Sequence, residues 1–87
     1  NIGLGSIAIG YNAGNQNQGE YSIAIGVNAG NTGQHANSII LNATNAALNS
    51  GTTGTFIAPI RVLPSGYANS TYTLVYDILT GELFYKP

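Results

Sequence analysis

Short stretches of alternating small and branched side chains recur along the first half of the chain. Ser-Ile-Ala-Ile-Gly occupies residues 6–10 and returns unchanged at residues 22–26, and a degenerate copy, Ser-Ile-Ile-Leu-Asn, follows at residues 38–42. The copies are equally spaced with a 16-residue period, and Asn-Ala-Gly-Asn follows both of the first two copies at the same distance. A fixed period with one strand-like segment per repeat predicts a solenoid or array.

Each repeated segment has one bulky face and one small face if it is extended. Side chains alternate along a strand, so Ile7 and Ile9 point to one side, and Ser6, Ala8 and Gly10 point to the other. The later copies repeat this arrangement. The small face permits the close approach of another backbone.

The connections between the segments carry turn residues and no helical pattern. Asn and Gly, which tolerate positive φ, follow each strand-like segment. No window shows a sustained helical period with caps, and only residues 45–49 could form a helical turn. We therefore predict an all-β protein.

The second half of the chain differs from the repeats, and the sequence indicates a division into a 16-residue repeat array at residues 1–50 and a β-rich C-terminal cap or neck at residues 51–87. Its predicted elements are a linker at 51–54, an edge strand at 55–60 that ends at a proline and continues briefly over 61–63, a turn at 64–66, and strands at 71–76 and 82–86. The last two form a hairpin, in which Gly81 takes the left-handed position of the loop.

Charge is scarce. Two basic and three acidic residues occur in the whole chain, and Glu20 is the only one of them that precedes Arg61. A surface this neutral does not capture nucleic acid or an anionic membrane electrostatically. Cysteine is absent, no apolar run is long enough to span a bilayer, and no signal peptide is recognisable, so membrane insertion is not expected. Because the chain begins at Asn1 rather than Met, we expect it to be part of a longer protein.

The repeats hold too few large apolar side chains to be stable alone. Residues 1–50 contain eleven Ile, Leu or Val side chains, which is few for the conformational entropy lost on ordering a segment of that length. We therefore predict a homotrimer whose apolar faces form an interchain core; a single-chain solenoid is the alternative. The predicted trimer core consists of Ile7, Ile9, Ile23, Ile25, Ile39, Leu41, Leu74 and Phe84.

The repeated segment with its Asn-Ala-Gly resembles the head repeat of trimeric autotransporter adhesins of the YadA type, over residues 2–48. The resemblance implies three chains wound into a trimeric left-handed parallel β-roll, or β-helix. The repeat of that family is usually slightly shorter than the 16-residue period of this chain, so the connections here are longer.

The second half resembles a segment near the end of fibre proteins of large DNA viruses and phages. Phe-Ile-Ala-Pro-Ile-Arg at residues 56–61, Leu-Val-Tyr-Asp at residues 74–77 and Thr-Gly-Glu at residues 80–82 carry the resemblance, which covers residues 52–87. In those proteins the segment often follows YadA-like repeats and precedes a self-cleaving intramolecular chaperone. It implies a trimeric viral fibre or spike at the virion surface or outside the cell.

Few residues suggest a binding or catalytic site. Tyr67 and Asn69 lie in a loop and are candidates for contact with a host glycan or protein receptor. Arg61, Asp77 and Glu82 are more simply a surface or interchain ion-pair set than catalytic groups, because no nucleophile or base accompanies the two acids.

The one histidine and two motifs expected by chance add little to the functional prediction. His35 lacks a second ligand at metal-binding spacing, so no metal or cofactor is expected. The acceptor pattern for N-glycosylation occurs at Asn42 and at Asn69, as it does by chance in a chain rich in Asn and Thr.

Together these patterns predict a non-enzymatic structural and adhesive module of a viral or phage fibre that displays a rigid surface for host attachment. The head of a bacterial trimeric adhesin is the alternative. A glycan hydrolase would need clustered acidic residues, which the sequence barely offers. An ice-binding face would need an evenly spaced row of threonines, which the repeats lack.

Overall fold

The structure, a computed structural model that describes residues 3–87, contains no helix among those residues. Four strands form a parallel sheet and two form an antiparallel hairpin, which confirms the predicted all-β class with parallel strands. The strands are β1 (Ile7–Ile9), β2 (Ile23–Ile25), β3 (Ser38–Asn42), β4 (Gly54–Ala58), β5 (Thr73–Tyr76) and β6 (Leu83–Lys86).

The repeat period is the register of the parallel sheet. Ile7 lies beside Ile23, which lies beside Ile39, and neighbouring strands of the four follow the chain order β1-β2-β3-β4. Parallel neighbours require the chain to return to the same end of the sheet before each new strand. The polar connections make that return, so each repeat forms one coil stacked on the last.

The small faces of the strands point into the coils. Ala24 and Ile40, which are neighbours across β2 and β3, are fully buried, and Ala29 from a connection joins them. Phe56 of β4 is half-buried against this cluster. Small residues at most inward positions keep the interior narrow, and the branched side chains of the strands other than Ile40 lie on the outer surface.

Much of the narrow interior is polar, and its hydrogen bonds run from coil to coil. Gln18 Nε2 donates to the carbonyl of Ile7 at 2.9 Å and to Gln34 Oε1 at 3.1 Å. Gln34 Nε2 repeats the first bond one coil later, to the carbonyl of Ile23 at 3.0 Å. Both glutamines are buried, so these bonds satisfy groups that water cannot reach. Among residues 3–87, Gln18 Oε1 has no hydrogen-bond partner, so the amide ladder stops there.

Serine hydroxyls form a second interior row. The hydroxyl of Ser22 donates to the carbonyl of Gly19 at 2.7 Å, and that of Ser38 donates to the carbonyl of His35 at 2.6 Å. The hydroxyl of Ser38 also lies 2.9 Å from that of Ser50. The hydroxyls of Ser22 and Ser38 each tie a strand to the connection that precedes it, which fixes the corner of the coil.

A glycine follows each of the first two strands. Gly10 and Gly26 have φ of 122° and 116°, a region that residues with a side chain rarely adopt. The backbone of the next coil passes so close that a Cβ on Gly26 would contact the carbonyl oxygen of Asn42. Close stacking of the coils therefore requires glycine here.

Two local predictions were wrong. A bend at residues 44–46 takes the place of a helical turn at 45–49, because Leu48 bridges to Ala29 in the neighbouring coil and its carbonyl accepts a bond from Gly30 N at 2.7 Å. Residues 61–63 do not continue β4, which ends at Ala58 before the cis Ala58–Pro59 bond.

The C-terminal hairpin forms as predicted. Tyr76 pairs with Leu83, Thr73 pairs with Lys86, and Gly81 has a φ of 79° in the connecting loop. The hairpin contacts none of the strands β1–β4 in the part of the chain that the structure describes. Two strands are marginally stable in water on their own, so the hairpin lacks a packing partner here.

Candidate functional site

The outer surface of the parallel sheet is an exposed apolar strip, which we call the isoleucine face. Its exposed side chains range from 38% at Leu41, Ile25 and Ile39 to 58% at Ile9. The members of the isoleucine face are Ile7, Ile9, Ile23, Ile25, Ile39, Leu41 and Ile57. A continuous aliphatic strip of this kind marks an interaction surface in soluble proteins.

The isoleucine face ends in a shallow groove where the strands leave the sheet. Its volume is about 320 Å³, and its walls include Ile25, Leu41, Ile57 and Pro59. The walls are largely apolar and hold no charged residue, so the groove extends the isoleucine face.

The hairpin exposes apolar side chains on both sides. Leu74 lies opposite Tyr85, and Val75 lies opposite Phe84, so these two neighbouring pairs point to opposite faces. Leu74 is 69% exposed and Phe84 is 43% exposed. Leu74 and Phe84, both expected in one trimer core, therefore point to different sides of the hairpin.

Tyrosines dominate one side of the hairpin. The rings of Tyr72 and Tyr85 stack with centroids 5.0 Å apart and planes within 3°. Tyr76 lies on the same side as Tyr72, and both are more than half exposed, so neither is buried as core packing would require.

The two loop residues predicted to contact a ligand lie together. Asn69 Nδ2 donates to the phenol oxygen of Tyr67 at 3.2 Å. Tyr67 forms part of a pocket of about 270 Å³ with Arg61, Pro64 and Thr71, which we call the tyrosine pocket. Asn69 is exposed beside it, and the ring of Tyr67 remains half-exposed.

Within residues 3–87 of one chain no ion pair links Arg61 with Asp77 or Glu82, and pairing between chains stays a prediction. The Asp77 carboxylate is instead used in the hairpin loop. Its Oδ1 accepts the backbone N–H of Leu79 at 2.8 Å and lies 3.4 Å from that of Thr80. The bond from Leu79, followed by that from Thr80, lowers the pKa of Asp77 below its ordinary value of 3.8, because both stabilise the ionised carboxylate.

The side chains of His35 and Asn42 make local contacts with the backbone. His35 Nδ1 lies 2.8 Å from the carbonyl of Ala36, and no group of three metal-ligating side chains occurs among the described residues. The side chain of Asn42 is buried and donates to the carbonyls of Val27 and Ala46 at 2.8 Å each, so it is not accessible to a glycosyltransferase. Asn69 is exposed.

The roles of three residues were not predicted from the sequence. Gln18 and Gln34 carry the amide ladder, and Ile57 extends the isoleucine face. The repeat period contains the signal for all three, since Gln18 and Gln34 are one period apart and Ile57 is one period after Leu41.

Comparison of the chain with protein-family models, with curated proteins and with solved structures found no match. No helix capable of crossing a membrane is present in residues 3–87.

Proposed function

We propose that this chain is a non-enzymatic structural and adhesive module of a trimeric viral or phage fibre or spike, in which stacked coils form a rigid shaft and the C-terminal region forms a cap. The observation that carries the proposal is the isoleucine face. It is a regular aliphatic strip on the outside of a coil whose own interior is already filled by alanines, serines and glutamines.

A partner surface with the same repeat period would bury the isoleucine face most completely. Burying a fully exposed Ile or Leu side chain contributes about 1.5–3 kcal/mol of free energy. Burying the exposed half of the side chains in the strip would therefore contribute roughly 5–10 kcal/mol per chain. A second copy of this chain has the same repeat spacing and can match the strip coil by coil. The near absence of charge before Arg61 allows such copies to approach without repulsion.

Rotational closure favours a small ring of chains over an open pair. A cyclic arrangement with parallel axes gives each isoleucine face a place beside the common axis and leaves the polar connections in water. The C-terminal region then presents its loops and hairpin three times, and three weak contacts held together bind a multivalent surface more tightly than one. The resemblance of the first half to trimeric adhesin heads and of the second half to trimeric viral fibres supports the number three.

Solution mass tests this proposal. We expect the purified chain to give three chain masses by light scattering over a hundredfold dilution, and to melt in one cooperative, concentration-dependent transition. A folded monomer at all concentrations would contradict the proposal, because the isoleucine face would then be stable in water without a partner.

A further inference from the structure

The tyrosine pocket joins the one arginine of the chain to an aromatic ring and a hydroxyl. Arg61, Tyr67 and Thr71 all form part of its wall. Within residues 3–87 the Arg61 guanidinium makes no ion pair, and Lys86 on β6 is the only other basic side chain in the chain. An exposed, unpaired cation on an otherwise nearly neutral surface can bind one negative group locally, but it does not produce a broad positive potential.

A hydrogen bond from Asn69, beside the pocket, prepares the Tyr67 hydroxyl as a donor. Because the Tyr67 phenol oxygen accepts from Asn69, its own proton is free to point at a ligand. The half-exposed ring offers an apolar face, on which the C–H groups of a sugar ring can stack. Thr71, whose side chain carries a hydroxyl, also lines the pocket.

We propose that the tyrosine pocket binds an acidic sugar, with the carboxylate of the sugar on the Arg61 guanidinium and its ring against Tyr67. This inference rests on the proposed adhesive function and names its ligand class. Arginine binds carboxylates through paired N–H donors, a geometry that the ammonium of lysine cannot match. A volume of about 270 Å³ suits one sugar unit, since pockets for drug-sized ligands begin at about 300 Å³.

An acidic sugar fits the pocket better than an aspartate or glutamate of a protein receptor. A carboxylate on a protein side chain would use Arg61 and leave the Tyr67 ring and the two flanking polar groups without partners. A sugar acid uses the cation, the ring and the hydroxyl donors together, and its remaining hydroxyls stay in water at this shallow site.

Saturation-transfer NMR on the full chain tests the assignment, with N-acetylneuraminic acid as the acidic sugar, galactose as the neutral sugar and N-acetylaspartate amide as the protein-like carboxylate. We expect saturable transfer to N-acetylneuraminic acid at millimolar concentration and at least about tenfold weaker binding of the other two. Arg61→Gln should weaken binding about tenfold or more, because it removes charge-assisted hydrogen bonds. Tyr67→Ala should weaken it similarly, and Tyr67→Phe by a few fold.

Lys86→Gln is the matched control, because it removes the same charge from β6, outside the pocket. Equal binding of N-acetylneuraminic acid by the parent and the Arg61→Gln variant would overturn the assignment. If N-acetylaspartate amide bound as tightly as N-acetylneuraminic acid, the assignment of a sugar as the ligand would be overturned. Light scattering on the same samples separates the two proposals: a trimer without sugar binding contradicts only this site, and a monomer that binds the sugar contradicts only the trimeric module.

Discussion

Replacing an outward isoleucine by serine separates an interchain core from a surface exposed to water. Ile9 is 58% exposed on the isoleucine face. Covering an isoleucine fully contributes about 1.5–3 kcal/mol, so covering the exposed part of Ile9 contributes about 1–2 kcal/mol per chain. The substitution occurs three times in a trimer, so Ile9→Ser should cost about 3–5 kcal/mol per trimer.

That loss should raise the dissociation constant of the trimer roughly 10²–10⁴-fold, at a factor of ten for each ~1.4 kcal/mol. Light scattering across a dilution series and thermal melts at two concentrations measure it directly. Ile78→Ser is the matched control, since it makes the same chemical change at the hairpin loop, where Ile78 is 83% exposed. We expect that control to change stability by less than about 0.5 kcal/mol, as surface substitutions usually do.

The comparison of the two variants has a clear negative outcome. If Ile9→Ser and Ile78→Ser shift the melting curve and the mass equally little, the isoleucine face is not an interface, and the coils are a single-chain solenoid. A large loss in both variants would instead place the hairpin loop in an interface as well.

The interior of the coils and the hairpin loop allow three more tests. Gly26→Ala should destabilise the chain by about 2 kcal/mol or more in thermal melts, because a side chain is strained at its φ and meets the next coil, whereas Gly33→Ala, with open space around it, should cost only about 1 kcal/mol; equal losses would contradict the close stacking. Gln34→Leu should cost about 1–3 kcal/mol by chemical denaturation, because it leaves buried partners of the amide ladder unpaired, and an unchanged midpoint would show that the ladder is dispensable. The hydrogen bonds that lower the pKa of Asp77 stabilise the hairpin at pH values above the pKa that Asp77 has in the unfolded chain. Amide chemical shifts in the loop should therefore report loosening as the pH falls below about 4. The substitution Asp77→Asn should remove that pH dependence.

The repeat period predicted the positions of the first three strands, and the structure shows that the same period sets their register. The same period also contained β4, which was read as a separate edge strand. Gly54 lies one repeat period after Ser38 and pairs with it, although the residues of β4 share little with the repeated segment. The spacing persists where the similarity of the residues ends.

Other features depend on contacts that no period expresses. The serine row continues from Ser38 to Ser50, which comes less than one period later, because Gly54 has no side chain at the next position in register and a loop supplies the hydroxyl instead. Residues 61–63 have strand-like composition but no neighbour to pair with in the described chain. Tyr67 and Asn69 were predictable as loop residues, whereas the position of Tyr67 beside Arg61 depends on the path of the loop.

The stacking of one coil on the next makes the length of this protein adjustable in small equal steps. Neighbouring parallel strands are about 4.8 Å apart, so a duplication of one repeat would move the two ends of the sheet apart by that distance. The inserted coil would meet the same glycines, serines and glutamines above and below it that the existing coils meet. Duplication of repeats would therefore lengthen the protein without altering its cross-section or its C-terminal region.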